Sequence, residues 1–406
     1  MTTASQRDPL LFAVCALGIA QITAWGASYY CLGVLADPIA ADTGWSRGFV
    51  YFGYTVSLLA MGVVSPWAGK AIDRLGGRAV MVAGTLLVSA GLYALSRVTS
   101  EAAYLAVWAL LGVGMRLCLY DAAFAALVQV VPSRGRLAIS YLTLFGAFAS
   151  TVFWVLGHYL NEAGGWRQTL ELFAAINLAV CLPLNWVGLA RREPAAATVA
   201  EATAGPVRDG ALLEGKRRTV ALALFALVMS LNGFVFSIVA VQLVPLLEAA
   251  GLAAAAAVWV ASLKGFAQFG GRVVEIAFAR NLHAMTVGRI AIGVLPAAFV
   301  LLLVSGGNIA VIVAFTLLMG ASQGVITIVR GAVPLALFGP AGYGAVLGLL
   351  ATPVLIVNAA SPPLFALVVE RWGWGTGQVM LVAACTASWL SMEVMSRWYR
   401  QGRRRD

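Results

Sequence analysis

Charge is what this chain of 406 residues has least of: 11% are Asp, Glu, Lys or Arg, against about 25% in an ordinary soluble domain. With 61% hydrophobic residues, that scarcity excludes a soluble enzyme. Histidine is nearly missing, with 2 residues, and no HExxH, phosphate loop or GxSxG is present, so no enzyme constellation can be assembled. The five cysteines, Cys15, Cys31, Cys118, Cys181 and Cys385, form no CxxC pair and all fall in apolar runs. Neither a disulfide framework nor a zinc site is expected. No metal and no cofactor is called for. The formal charge of +10 comes without the aromatic interleaving that stacks bases, which argues against nucleic acid as a partner.

What the chain does have is apolar length. Twelve runs approach the roughly 20 residues that cross a bilayer, and only short connections remain. The expected fold is an all-α membrane protein of twelve transmembrane helices in two six-helix bundles. The bundles are read as 1–190 and 219–406, around a cytoplasmic linker at 191–218 that is rich in Ala, Pro, Gly and charge. The first run, about 10–35, is too long for a cleaved signal peptide and is expected to stay. Arg134, Arg136, Arg191, Arg192, Lys216, Arg217, Arg218, Arg280, Arg397, Arg400 and the arginines at 403–405 fall on one side, while Arg47, Arg97, Arg167 and Arg371 fall on the other. By the positive-inside bias both termini are cytoplasmic.

Residues 69–78, GKAIDRLGGR, gather three cations, one acid and three glycines between apolar runs. They read as a short turn at the membrane surface. Gly271, Glu275 and Arg280 repeat the frame of Gly69, Asp73 and Arg78 at an offset of 202, and Gly26, Pro38 and Gly44 match Gly233, Pro245 and Gly251 at 207. Two related halves with polar groups at mid-depth describe a secondary transporter whose halves rock about a central site.

The polar groups lie on spans 1, 4, 8 and 10, with Asn232 on span 7. Gln21, Trp25 and Ser28 make a stripe on span 1 with Tyr29 close by; Lys264, Gln268 and Arg272 make one on span 8; Gln323, Thr327 and Arg330 make one on span 10. Span 4 carries Arg116 and Asp121. Charges at such depth face a cavity or a partner, and five residues along an unbroken helix turn these two about 140° apart, which argues against a simple same-face pair. The cations Arg116, Lys264 and Arg330 outnumber the deep acid. They point to a carboxylate substrate, with Gln268, Gln323, Tyr29, Trp25 and Asn232 around it. Asp121 is the candidate to carry a coupled proton, and an internal ion pair without transport work is the competing reading. Each stripe also reads as an ordinary helix contact.

The loop at 69–78 closely resembles the one between helices 2 and 3 of the major facilitator superfamily. That resemblance implies that Asp73 shuts the cytoplasmic side by pairing with basic residues and with the positive N-terminus of span 11. Gly69, Asp73, Arg74 and Arg78, with Glu275 and Arg280 in the second half, are then gating residues; fixing topology alone is the competing reading for the basic ones. GWSR after span 1, and Arg136, Leu137, Ala138 and Gly146 in the turn and span that follow Pro132, resemble the bacterial branch of the monocarboxylate porters. That branch implies a small organic anion, a monocarboxylate, as substrate, with a mid-membrane cation on span 8 at about Lys264; the acid it carries one turn earlier is Val260 here. Two marks of the drug and proton antiporters are missing, since Trp108 stands where they have an Arg and span 5 has no Gly-Pro pair. An exporter of amphipathic drugs or trivalent arsenicals, with Cys118 as the soft ligand, and a non-transporting receptor remain as alternatives. The expected partners are the anion, the bilayer and a proton, and the expected state is a monomer.

Overall fold

The computed structural model describes residues 8–193 and 212–403, so most of the expected linker and part of the basic tail lie outside the described residues. Among the described residues all regular structure is helical. Nine helical runs are long and apolar enough to cross a membrane, fewer than the twelve expected. Two of the nine are double. The run Pro132–Gly188 has 57 residues and Tyr343–Arg400 has 58, and each is broken at one glycine, Gly165 (φ +77°) or Gly373 (φ +80°). A further helix, Ala254–Val274, is 21 residues long. Both breaks are followed by a tryptophan, Trp166 and Trp374.

In chain order the elements that matter are α1 (Pro9–Ala24), α2 (Leu32–Thr43), α3 (Arg47–Leu75), α4 (Gly77–Ser96), α5 (Glu101–Cys118) and α6 (Tyr120–Val130). They are followed by α7 (Gly135–Gly146), α8 (Ala149–Ile176) and α9 (Leu182–Gly188). The second half holds α10 (Gly215–Ala249), α11 (Ala254–Val274), α12 (Ala284–Leu303), α13 (Ile309–Phe338) and α14 (Tyr343–Arg403). A wider π turn at Trp25–Tyr29 links α1 towards α2. The short connections end in capping side chains. Asp8 accepts from the Leu10 amide, Ser46 from Phe49, Ser100 from Ala103 and Asn308 from Ala310, at 3.0, 3.1, 3.3 and 3.0 Å. Each satisfies an amide that the helix itself leaves without a partner.

The chain divides into two compact units. One is Met1–Gly205 with Gly339–Thr352, and the other is Pro206–Phe338 with Pro353–Asp406. The start of α14 therefore belongs with the first half of the sequence. Glycine is the cause: a Cβ on Gly69 would overlap the Gly344 carbonyl oxygen, and one on Gly348 would overlap that of Ser65. Backbone meets backbone there, and Thr352 adds a bond from its hydroxyl to the Gly62 carbonyl at 2.9 Å. In the second unit Gly320 and Gly324 of α13 lie against the backbones of Lys264 and Gln268 in α11. This small-residue seam is the contact expected of helices in lipid.

Residues 69–78 are mostly not a turn. Residues 69–75 complete α3 and Gly77 opens α4, which leaves Gly76 alone outside a helix at φ +86°, ψ 146°. That conformation is open essentially only to glycine. Span 4, expected to be continuous, is broken at Leu119 (φ −81°, ψ −167°). The prolines at 353, 362 and 363 lie inside α14, whose helical conformation is interrupted at Gly373.

Candidate functional site

The break at Leu119 brings two sequence candidates together. Arg116 stands in the last turn of α5 and Asp121 in the first turn of α6, each the charge that suits its end of a helix dipole. Their side chains are 3% and 6% exposed, and Arg116 Nη1 donates to Asp121 Oδ2 at 2.6 Å. The separation of about 140° expected for an unbroken helix does not apply, because the extended residue between them swings the acid round. The pairing, argued against from spacing, is present.

The same break frees the Cys118 carbonyl, and a distant residue takes it up. Gln21 Nε2 donates to that oxygen at 2.8 Å, and Gln21 Oε1 accepts from Trp25 Nε1 at 3.0 Å. Trp25 opens the π turn of the first crossing. Its ring lies 4.6 Å from Tyr29 and 5.0 Å from Tyr120, and Tyr29 lies 5.1 Å from Tyr54 and 5.2 Å from Tyr30. Of this cluster the sequence pattern singles out Trp25 and Tyr29. It misses Tyr30, Tyr54 and Tyr120, although Tyr120 directly precedes Asp121. Gly146, matched as part of a motif, makes room for that ring, since a Cβ there would overlap the Tyr120 hydroxyl. Cys118 is buried beside this cluster, and among the described residues no group of His, Cys, Asp or Glu could hold a metal ion.

In the second unit the seam between α11 and α13 sets the stage. Gln268 Nε2 donates to Gln323 Oε1 at 3.4 Å, and Arg272 Nε to the Gly324 carbonyl at 3.4 Å. Lys264, half-buried one turn before Gln268, has its ammonium 5.5 Å from the centre of the Phe236 ring. Among the described residues no carboxylate pairs with it. A cation held over an aromatic face and beside carboxamides suits an anion that also has an apolar part. Arg330 is half-buried two turns beyond Gln323. Asn232 uses its amide nitrogen inside the helix packing, where Nδ2 donates to Val228 O at 2.9 Å and Ser388 Oγ at 2.6 Å.

The gating candidates separate. Asp73 reaches the first turn of α14, where Oδ1 accepts from the Gly344 amide at 2.9 Å and Oδ2 from Ala345 at 2.7 Å. These are charge-assisted bonds to unshared amides at a helix N-terminus, the contact that the family resemblance implied. Arg78 stacks over Trp186 at 3.6 Å, and Arg74 and Arg280 are exposed, while Glu275 is buried in a π turn, Glu275–Ala279. At the start of the chain Arg134 donates to both oxygens of Asp8 at 2.8 and 2.7 Å and to Glu193 at 3.1 Å. The guanidinium holds the Asp8 carboxyl below its ordinary range. Glu193, expected in the free linker, is thus tied down.

Comparison with known proteins supports one reading of the fold. The multidrug resistance protein MdtL of Citrobacter koseri is 27% identical over 172 residues, 42% of this chain and 43% of that protein. The chain spans about half the length of the curated relatives it matches. The human organic anion transporter MFSD10 superposes with a TM-score of 0.72 at 18% identity, covering 95% of this chain and 100% of that one. A bacterial homologue of the iron transporter ferroportin gives 0.73 at 14%, covering 94% and 99%. Those likenesses establish a shared fold across different cargoes. The model of the Major Facilitator Superfamily matches residues 17–317, and this multi-pass membrane chain belongs to that superfamily of transporters.

Proposed function

We propose that the protein moves a small organic anion across the bacterial inner membrane by alternating access through twelve crossings, as a monomer and coupled to protons. The observation that carries this is Lys264, an ammonium within a membrane helix that no carboxylate of the described residues neutralises. Leaving a cation uncompensated at such depth is costly, and a substrate carboxylate removes that cost on binding. The apolar face beside it and the Gln268–Gln323 pair favour a monocarboxylate with a short hydrocarbon part. Asp121 is the proton carrier in this reading, with Arg116 as the counter-charge that holds it. Asp73 is the latch, and opening breaks its two bonds to α14.

The test is uptake of labelled lactate or pyruvate into proteoliposomes with and without a pH gradient. Uptake is expected to follow the gradient and to be abolished in Lys264→Ala, with that variant still in the membrane. Full uptake in the variant would end the assignment. A second reading has its own support, since the relatives named MdtL are multidrug resistance proteins and the cluster of Trp25, Tyr29, Tyr30, Tyr54 and Tyr120 offers stacking faces for amphipathic aromatics. That exporter would give no anion flux, and cells carrying it would hold less of an amphipathic dye.

A further inference from the structure

The joint at Gly76 is spanned by one side chain that neither composition nor motif singles out. Gln129, in the last turn of α6, accepts from the Gly77 amide through Oε1 at 2.8 Å and donates through Nε2 to the Ile72 carbonyl at 2.9 Å. The Gly77 amide stands at the open N-terminus of α4, one of the donors its helix leaves unshared. The Ile72 carbonyl lies in the last turn of α3, where it also receives the Gly76 amide at 3.0 Å. One carboxamide therefore holds both helices across the single residue that separates them. A carboxamide carries the donor and the acceptor that the two contacts need, whereas a carboxylate has no donor and an aliphatic chain has neither group.

The approach that allows this is built in: a Cβ on Gly77 would overlap Ala126, one turn before Gln129 on the same helix. The carbonyl that Gln129 grips belongs to the peptide whose nitrogen is Asp73's own. That grip sets the orientation of the backbone from which the Asp73 side chain leaves towards Gly344 and Ala345. Arg78, the basic residue of the same loop, is turned to the Trp186 ring instead.

We propose that Gln129 is a positioning residue for the Asp73 latch, and that it sets how firmly the start of α14 is held against α3. The inference rests on the gating reading of Asp73. Val346, 3% exposed within the latched segment, supplies the readout. In the full-length protein in membrane vesicles, Val346→Cys is labelled with a membrane-impermeant maleimide, against the same chain without that cysteine. Gln129→Leu is expected to raise the labelling rate about three- to tenfold, the loss of neutral hydrogen bonds. Gln129→Glu, which keeps the contact to Gly77 and loses the one to Ile72, is expected to fall between, and it decides the matter if Gln129→Leu fails to reach the membrane. Asp73→Asn is expected to raise labelling on its own, with Gln129→Leu adding nothing in that background. Wild-type labelling in both Gln129 variants beside raised labelling in Asp73→Asn would overturn the positioning role, as would independent, multiplying effects. Unchanged labelling in Asp73→Asn would instead remove the latch reading itself.

Discussion

Arg116 and Lys264 are both basic residues within membrane helices, and the protein treats them oppositely. Arg116 has a carboxylate at 2.6 Å and is 3% exposed. Lys264 is half-buried against a phenyl ring with no carboxylate of the described residues beside it. A charge met by a carboxylate inside the protein has less to offer an anion than one with no carboxylate of the described residues beside it. The two charged loops differ as well. Asp73 spends both oxygens on a helix start, whereas Glu275, at the equivalent place in the repeat, is buried in a π turn. The frame of glycine, acid and arginine survives in both halves, but only the first has Gly76 to end one helix and begin the next within a single residue.

The contrast breaks hardest at the matched pair. Arg116→Met is expected to lower stability by about 3 kcal/mol, because it removes the cation paired with a buried carboxylate, while Arg116→Met with Asp121→Leu recovers most of that loss; thermal unfolding in detergent reads both. Asp73→Asn is expected to cost about 1.5–3 kcal/mol, the range for a bond to a charged group, and Glu275→Gln is expected not to loosen α14, as read by cysteine labelling there. At the membrane edge, Asp8 is held below the ordinary carboxylate value by Arg134, so its contribution is complete above that value and is lost as pH falls below about 4. The stability difference between the wild type and Asp8→Asn, no more than about 1 kcal/mol for so exposed a pair and read by thermal unfolding, is expected to shrink as pH falls through that range. As a loss of stability Lys264→Ala is expected to be the smallest, since it removes a cation that is costly at that depth, while anion uptake disappears; a large stability loss would mean that Lys264 is framework after all.

Much of this was legible in the chain because lipid imposes long apolar runs and glycine marks close approach. The loop at 69–78 disclosed its acid and its glycines, and Asp73 meets α14 as the resemblance implied. What was hidden is long-range or unpunctuated. Nothing in Leu117, Cys118, Leu119 and Tyr120 announces a break, since no Gly or Pro is present, and the carbonyl it exposes is answered by Gln21 from 97 positions away. Helical arithmetic on Arg116 and Asp121 therefore started from a helix that does not exist. The bond from Asn232 to Ser388 was hidden because the two lie 156 positions apart. Gln129 carried no signal, because its two partners are backbone groups of another helix pair.

Gly165 and Gly373 leave their helical arms joined by a single residue. Such arms have no slack between them: a protease would find no loop to cut at either joint, and an epitope inserted at either glycine would force the arms apart.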